Sequence, residues 1–213
     1  MVAYETRLNA DRGWALSEGS RHFEERSAVQ DTLRRIAAKL NELGVPYAIS
    51  GGMALFHHGY RRFTEDVDVL VTREGLARIH ESLVGLGYTP VVQGGGAIRD
   101  AQTGVRIDFL VAGDFPGDGK PKPVAFPDPG GGESKPAGVS EIVFEHGGIR
   151  YLGLARLIEL KLASGMSSPG RLRDLSDVLE LIRVLKLSPE FGAQLNSFVR
   201  PKFLELVGAV ASE

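Results

Sequence analysis

The run Asp66-Val67-Asp68-Val69-Leu70-Val71 limits what this chain can fold into more than any other stretch. In extended backbone, successive side chains alternate between faces, so Val67, Val69 and Val71 form one apolar face while Asp66, Asp68 and Leu70 share the other. Two acids thus stand side by side on a strand whose reverse face belongs in a core. A second strand of the same kind is expected from Val105 to Val111, where Val105, Ile107, Phe109 and Val111 alternate with Arg106, Asp108 and Leu110. It carries a third acid mid-strand. Upstream, Ser50-Gly51-Gly52 separates a short apolar strand at Tyr47-Ala48-Ile49 from a helix-favouring stretch, Met53 to Tyr60.

The remaining pattern alternates helices with short strands. After a polar lead-in, Val29, Leu33, Ile36, Ala37, Leu40 and Leu43 recur at helical spacing from Glu24 to Leu43, where Gly44 and Pro46 end the helix. A helix is expected over Leu76 to Leu86 and an extended stretch over Tyr88 to Val92. Ala97 to Asp100 should pair with Val105 to Val111 as a hairpin. Gly113 to Gly138 holds six of the 11 prolines and reads as a long exposed loop. A second hairpin is predicted from Val139 to Phe144 and Ile149 to Leu152 around His146-Gly147-Gly148. Helices then follow over Leu154 to Ser164, Leu172 to Leu185 and two shorter pieces. The sum is an α+β fold: a small mixed β-sheet flanked by helices, with a core over residues 21–153 and a helical C-terminal portion over residues 154–213.

With 213 residues, 43% of them hydrophobic, the chain can bury one compact core. Lys+Arg 25 against Asp+Glu 27 leaves a net charge of -2, so a polyanion partner would be recognised locally rather than by a general cationic field. Cys 0 excludes disulfides, a thiolate nucleophile and zinc-cysteine sites, which suits a reducing cytoplasm and leaves hard metals as candidates. No stretch predicts a signal peptide or a membrane span.

Two features carry chemistry. A glycine pair between a strand and a helix lets backbone N–H groups approach a phosphate. Carboxylates at i and i+2 on one strand, joined by a third from another strand, make an oxygen cage suited to Mg²⁺ held together with substrate phosphates. Together they describe a metal-bound triphosphate.

These residues resemble the polymerase-beta-type nucleotidyltransferase superfamily. The stretch Ser50-Gly51-Gly52-Met53-Ala54-Leu55 through Arg62-Phe63-Thr64-Glu65-Asp66-Val67-Asp68 is similar to its glycine-pair and Arg-x-Thr-x-Asp-x-Asp motifs, and Asp108 matches its third carboxylate. Lys161 with Arg171-Leu172-Arg173-Asp174-Leu175-Ser176-Asp177 is similar to the pattern of the AbiEii-like branch, the toxin half of type IV toxin-antitoxin systems. Arg173 stands where lysine is commoner.

The resemblance implies transfer of a nucleoside monophosphate from a nucleoside triphosphate to an acceptor, with two Mg²⁺ ions held by Asp66, Asp68 and Asp108. Ser50, Gly51 and Gly52 would cradle the triphosphate, with Arg62 and Thr64 beside them. Lys161 would meet the departing pyrophosphate, and the general base would be Asp108 or one of Asp174 and Asp177. The acceptor it implies first is a tRNA or other RNA end, with an antitoxin protein as partner. An aminoglycoside-like small molecule, a protein hydroxyl, and a non-catalytic nucleotide-binding relative are the alternatives.

Blander readings exist for several residues. Arg173 and Asp177, four apart on a helix, and Arg171 and Asp174, three apart, could be surface ion pairs. Arg61 and Arg62 could be solvated. His57 and His58, adjacent on a helix, point apart and are expected to be structural rather than metal ligands. Trp14 and Phe23 are expected to pack the N-terminal arm onto the domain.

Overall fold

The computed structural model describes residues 2–131 and 141–212. The N-terminal segment, expected as a polar lead-in, instead forms two helices, α1 (Tyr4–Ala10) and α2 (Arg12–Phe23). Asp11 caps the second by accepting from the Trp14 N–H at 2.9 Å. Few apolar residues mark these helices, because they dock through a small number of specific contacts. Tyr4 is buried with its ring edge-on to Trp14, and its hydroxyl donates to the buried Glu18 carboxylate at 3.2 Å. Arg99 grips Glu5 through two hydrogen bonds of 2.8 and 2.7 Å. Trp14 packs against the core as expected, whereas Phe23 is 47% exposed. His22, fully buried between Phe56 and Phe63, takes the anchoring role instead.

The next helix, α3 (Ala28–Glu42), begins four residues later than its apolar spacing suggests. Glu25 takes a left-handed φ of 60°, and the Ser27 hydroxyl then accepts from Gln30 N–H as the N-cap. Strand β1 (Tyr47–Ile49) leads into the short helix α4 (Gly51–His57), and β2 (Asp66–Val71) follows. Helix α5 (Arg73–Leu83) starts at a Thr72 cap, ahead of its first apolar residue. Strands β3 (Tyr88–Pro90), β4 (Ile98–Asp100) and β5 (Arg106–Val111) complete this half.

After residue 141, β6 (Val143–His146) and β7 (Ile149–Leu152) form the second hairpin. Its turn is Gly147-Gly148, both at positive φ, so His146 belongs to the strand rather than the turn. Residues 139 and 140 of the expected first strand, and residues 132–138 of the expected loop, lie outside the described residues. Helices α6 (Leu154–Ser167), α7 (Leu172–Leu185) and α8 (Arg200–Ala211) close the chain, with 3-10 turns at Pro169–Arg171 and Pro189–Gln194.

All strands join one mixed seven-stranded sheet in the order β3-β4-β5-β2-β1-β7-β6. The expected β4–β5 hairpin forms, and α5 carries the chain across the sheet so that β2 and β5 pair in parallel. Period-two alternation then assigns the two faces. Tyr47, Ile49, Val67, Val69, Val71 and Ile107 point into a core covered by α3, α5 and the N-terminal helices. Ala48, Leu70 and Leu110 point into a second core built with α6, α7 and α8. Asp66, Asp68 and Asp108 belong to this second face, at the end of the sheet where its apolar filling stops. No helix among the described residues is long and apolar enough to cross a membrane.

If α1 is an integral part of the fold, Tyr4→Ala removes a fully buried ring and deprives Glu18 of a donor. The expected loss is about 3–5 kcal/mol in urea unfolding, with an unchanged denaturant slope.

Candidate active site

The parallel register sets the acids. Asp66 lies opposite Arg106 and Asp68 opposite Asp108, so residues forty positions apart in sequence become cross-strand neighbours. One carboxylate oxygen from each of Asp66, Asp68 and Asp108 lies within 4.8 Å of the others, and all three residues are partly buried. Burial, and then the charges of Asp66 and Asp108, push the Asp68 carboxyl up to about 7, against the opposing pull of Lys161 and Arg62.

Each acid is held in place. The Thr64 hydroxyl donates to Asp66 Oδ1 at 2.7 Å. Arg106 donates twice to Asp108 Oδ1, at 2.9 and 2.6 Å. The Asp68 carbonyl accepts from Ser50 N–H at 2.9 Å, which ties the strand to the start of α4. Three convergent carboxylates in a half-dry setting are a hard oxygen donor set, and they fit a divalent cation such as Mg²⁺.

The glycine pair has a steric origin that alternation and spacing do not reveal. Gly51 adopts a φ of 55°, and a Cβ there would stand 1.7 Å from Asp68 Oδ2. A Cβ on Gly52 would stand 2.7 Å from Thr64 Cβ and Oγ1. The glycines therefore let the acid strand and the Thr64 turn close onto α4. They also leave backbone at the wall of the cleft.

That cleft has a volume of about 480 Å³. Ser50, Gly51, Gly52, Thr64, Asp66 and Asp68 form its sheet side, and Lys161, Asp174 and Asp177 its helical side. The structure thus brings Ser50, Gly51, Gly52, Arg62, Thr64, Asp66, Asp68, Lys161, Asp174 and Asp177 to one cleft, with Asp108 meeting the other two acids of the sheet from the neighbouring strand. The helical residues are not surface ion pairs. Asp177 is 2% exposed and binds Arg62 and Lys161 rather than Arg173. Asp174 accepts from Lys161 at 3.0 Å and from the Ser164 hydroxyl at 2.6 Å. Arg62 turns its guanidinium onto Asp177, with bonds of 2.8 and 3.1 Å, while exposed Arg61 lies over the Phe56 ring.

Several residues of the site escaped sequence reading. Ser164 stands one helical turn after Lys161, a signal that was present in the spacing. Phe115, Pro116, Gly117 and Phe126 line the cleft, so the described part of the Pro/Gly-rich segment is a wall rather than a freely exposed loop. It is fastened by Gly113 N–H to the Phe126 carbonyl and Phe126 N–H to the Asp114 carbonyl. No local pattern encodes that placement. His22 Nε2 lies 3.2 Å from the Arg62 carbonyl, which links the N-terminal helices to the loop between α4 and β2. His57 stacks on Tyr151 and His58 Nε2 meets the Leu152 carbonyl at 2.9 Å, so both are structural, as expected.

Among solved structures, the chain is similar to the crystal structure of an antigenic nucleotidyltransferase-like protein from Paracoccidioides brasiliensis. The two are 19% identical over 84% of this chain and 91% of that one, with a TM-score of 0.47. No family model matches the chain, and no curated protein does.

Crowding of the three acids costs stability that a bound cation would restore. Asp68→Asn should raise the metal-free stability by about 1 kcal/mol, because one crowded charge is removed. The same variant should weaken Mn²⁺ binding, followed by paramagnetic resonance, by at least about 100-fold.

Proposed function

We propose that this chain is a Mg²⁺-dependent nucleotidyltransferase, moving a nucleoside monophosphate from a nucleoside triphosphate to an acceptor hydroxyl. The observation that carries the reading is the convergence of Asp66, Asp68 and Asp108 in a cleft whose opposite wall presents Lys161. A site that only bound a neutral ligand would have no use for three crowded carboxylates.

In this reading Asp66, Asp68 and Asp108 hold the metal, in one or two ions, and Ser50, Gly51 and Gly52 offer backbone to the triphosphate. Mg²⁺, when bound, neutralises charge on the phosphates as the α-phosphorus is attacked. The acceptor oxygen forms a bond to that phosphorus while its bond to the pyrophosphate oxygen breaks. Lys161 receives the negative charge that develops on the departing pyrophosphate. The acceptor proton passes to a carboxylate of the site. Both Arg106 bonds fall on Oδ1 of Asp108, which leaves Oδ2 for metal or proton. Asp174 is the alternative base on the helical side. The helical portion from residue 154 onward acts as the closing wall.

For the acceptor we favour an RNA end, as in a cytoplasmic toxin restrained by an antitoxin partner. Arg171 and Arg173 on the cleft wall support it by offering cations to phosphates in a chain whose net charge is -2.

Incubation with each α-labelled triphosphate, Mg²⁺ and separate pools of total RNA, aminoglycosides and protein tests both levels. Label is expected in RNA, reduced by at least about 1,000-fold in Asp68→Ala. Label in another pool replaces the acceptor and keeps the activity. Triphosphate binding without transfer to any pool overturns the enzymatic reading in favour of a nucleotide sensor.

A further inference from the structure

The buried ion network on the helical wall divides the roles of its two aspartates. Asp177 Oδ1 accepts from Arg62 Nε at 2.8 Å. Its Oδ2 accepts from Arg62 Nη2 at 3.1 Å and faces Lys161 Nζ at 2.7 Å. Both oxygens are therefore occupied by two cations that come from opposite sides of the cleft: Arg62 from the loop before β2, and Lys161 from α6. Asp177 itself is almost wholly withdrawn from solvent, as is Lys161 at 7% exposure. Three of the roughly four acceptor sites of Asp177 are thus taken by cations, and its burial keeps the remaining one from solvent. Asp174, by contrast, has a more exposed side chain and accepts from one cation and one hydroxyl.

We infer that Asp177 is a positioning residue: it clamps Arg62 and Lys161 to one carboxylate so that the two cations converge on the cleft wall where a polyphosphate would lie. The inference rests on the triphosphate reading given above, and it removes Asp177 from the candidates for general base. The clamp has a further support outside the cleft, because the Arg62 carbonyl is held by buried His22 on α2. Arg62 is thus fixed at both its backbone and its guanidinium. A bidentate arginine bridge restricts geometry as well as charge, which a lysine at position 62 would not reproduce.

The sign of one effect separates this role from simple charge balance. Deleting a negative charge beside an anion site strengthens anion binding if only Coulomb attraction operates. The clamp requires the opposite, because released cations no longer converge. Two measurements on the full chain test it, each on variants that retain a cooperative melt. The first is acetylation of Lys161 in the absence of ligand, read by mass spectrometry against the other lysines. In Asp177→Asn, Lys161 labelling should rise by at least about tenfold with the other lysines unchanged, and Asp177→Glu should recover part of the protection.

The second is calorimetric binding of inorganic triphosphate with Mg²⁺, which should weaken by at least about tenfold in Asp177→Asn. Should Asp177→Asn fail to fold, Arg62→Gln provides the labelling test, with an expected rise of about threefold at Lys161. Unchanged Lys161 labelling overturns the clamp. So does triphosphate binding that is unchanged or tighter in Asp177→Asn, the former being what a general base would give. A wild-type protein that binds no triphosphate, yet shows the labelling changes, overturns the nucleotide reading and leaves the clamp standing.

Discussion

Like charges packed a few ångströms apart are the constraint around which this protein is arranged. With one oxygen of each within 4.8 Å of the others, each pair of ionised carboxylates repels by on the order of 3 kcal/mol or more at the effective dielectric typical of protein sites. The sheet imposes this cost through register, since the parallel pairing of β2 and β5 sets Asp68 directly opposite Asp108. Thr64 and Arg106 then hold the outer two acids so that the cluster cannot relax by turning away. Stability lost here is offset by the two apolar cores on either face.

The cleft is divided by charge. Its sheet side gathers acids alone, whereas on its helical side Asp174 and Asp177 are met by Lys161, Arg171, Arg173 and the Arg62 that reaches across, so the cations predominate there. Side-chain bridges and the packing of Leu70 and Leu110 with residues of α6 and α7 hold the two sides together. In the proposed function, a polyanion with bound cations would suit both walls at once.

How much of this was readable in advance depended on the range of the interactions. The alternation in residues 66–71 and 105–111 is a local consequence of strand geometry, so the acids and their common face could be read directly. The partnership of Asp68 with Asp108 needed only the further assumption that the two strands are neighbours. Residues 4–23 were misread because their docking rests on a few long-range contacts, such as Tyr4 with Glu18 and Arg99 with Glu5, which leave no periodic trace. The same holds for Phe115 and Phe126, placed at the cleft by loop hydrogen bonds. The pairing of Asp177 with Arg62 spans 115 positions and contradicts the helical spacing that favoured Arg173. Gly51 and Gly52 were noticed for their freedom of backbone, yet the demand on them comes from Asp68 and Thr64.

The contact between His22 and the Arg62 carbonyl has a practical meaning for anyone handling this protein. The amino-terminal helices look like a detachable decoration on a sheet whose three clustered acids all lie elsewhere. They nevertheless buttress the one loop from which a cation crosses the cleft. A shortened chain beginning at the Ser27 cap would retain every acid and still lose the alignment between the walls, so the amino end is the wrong place to trim.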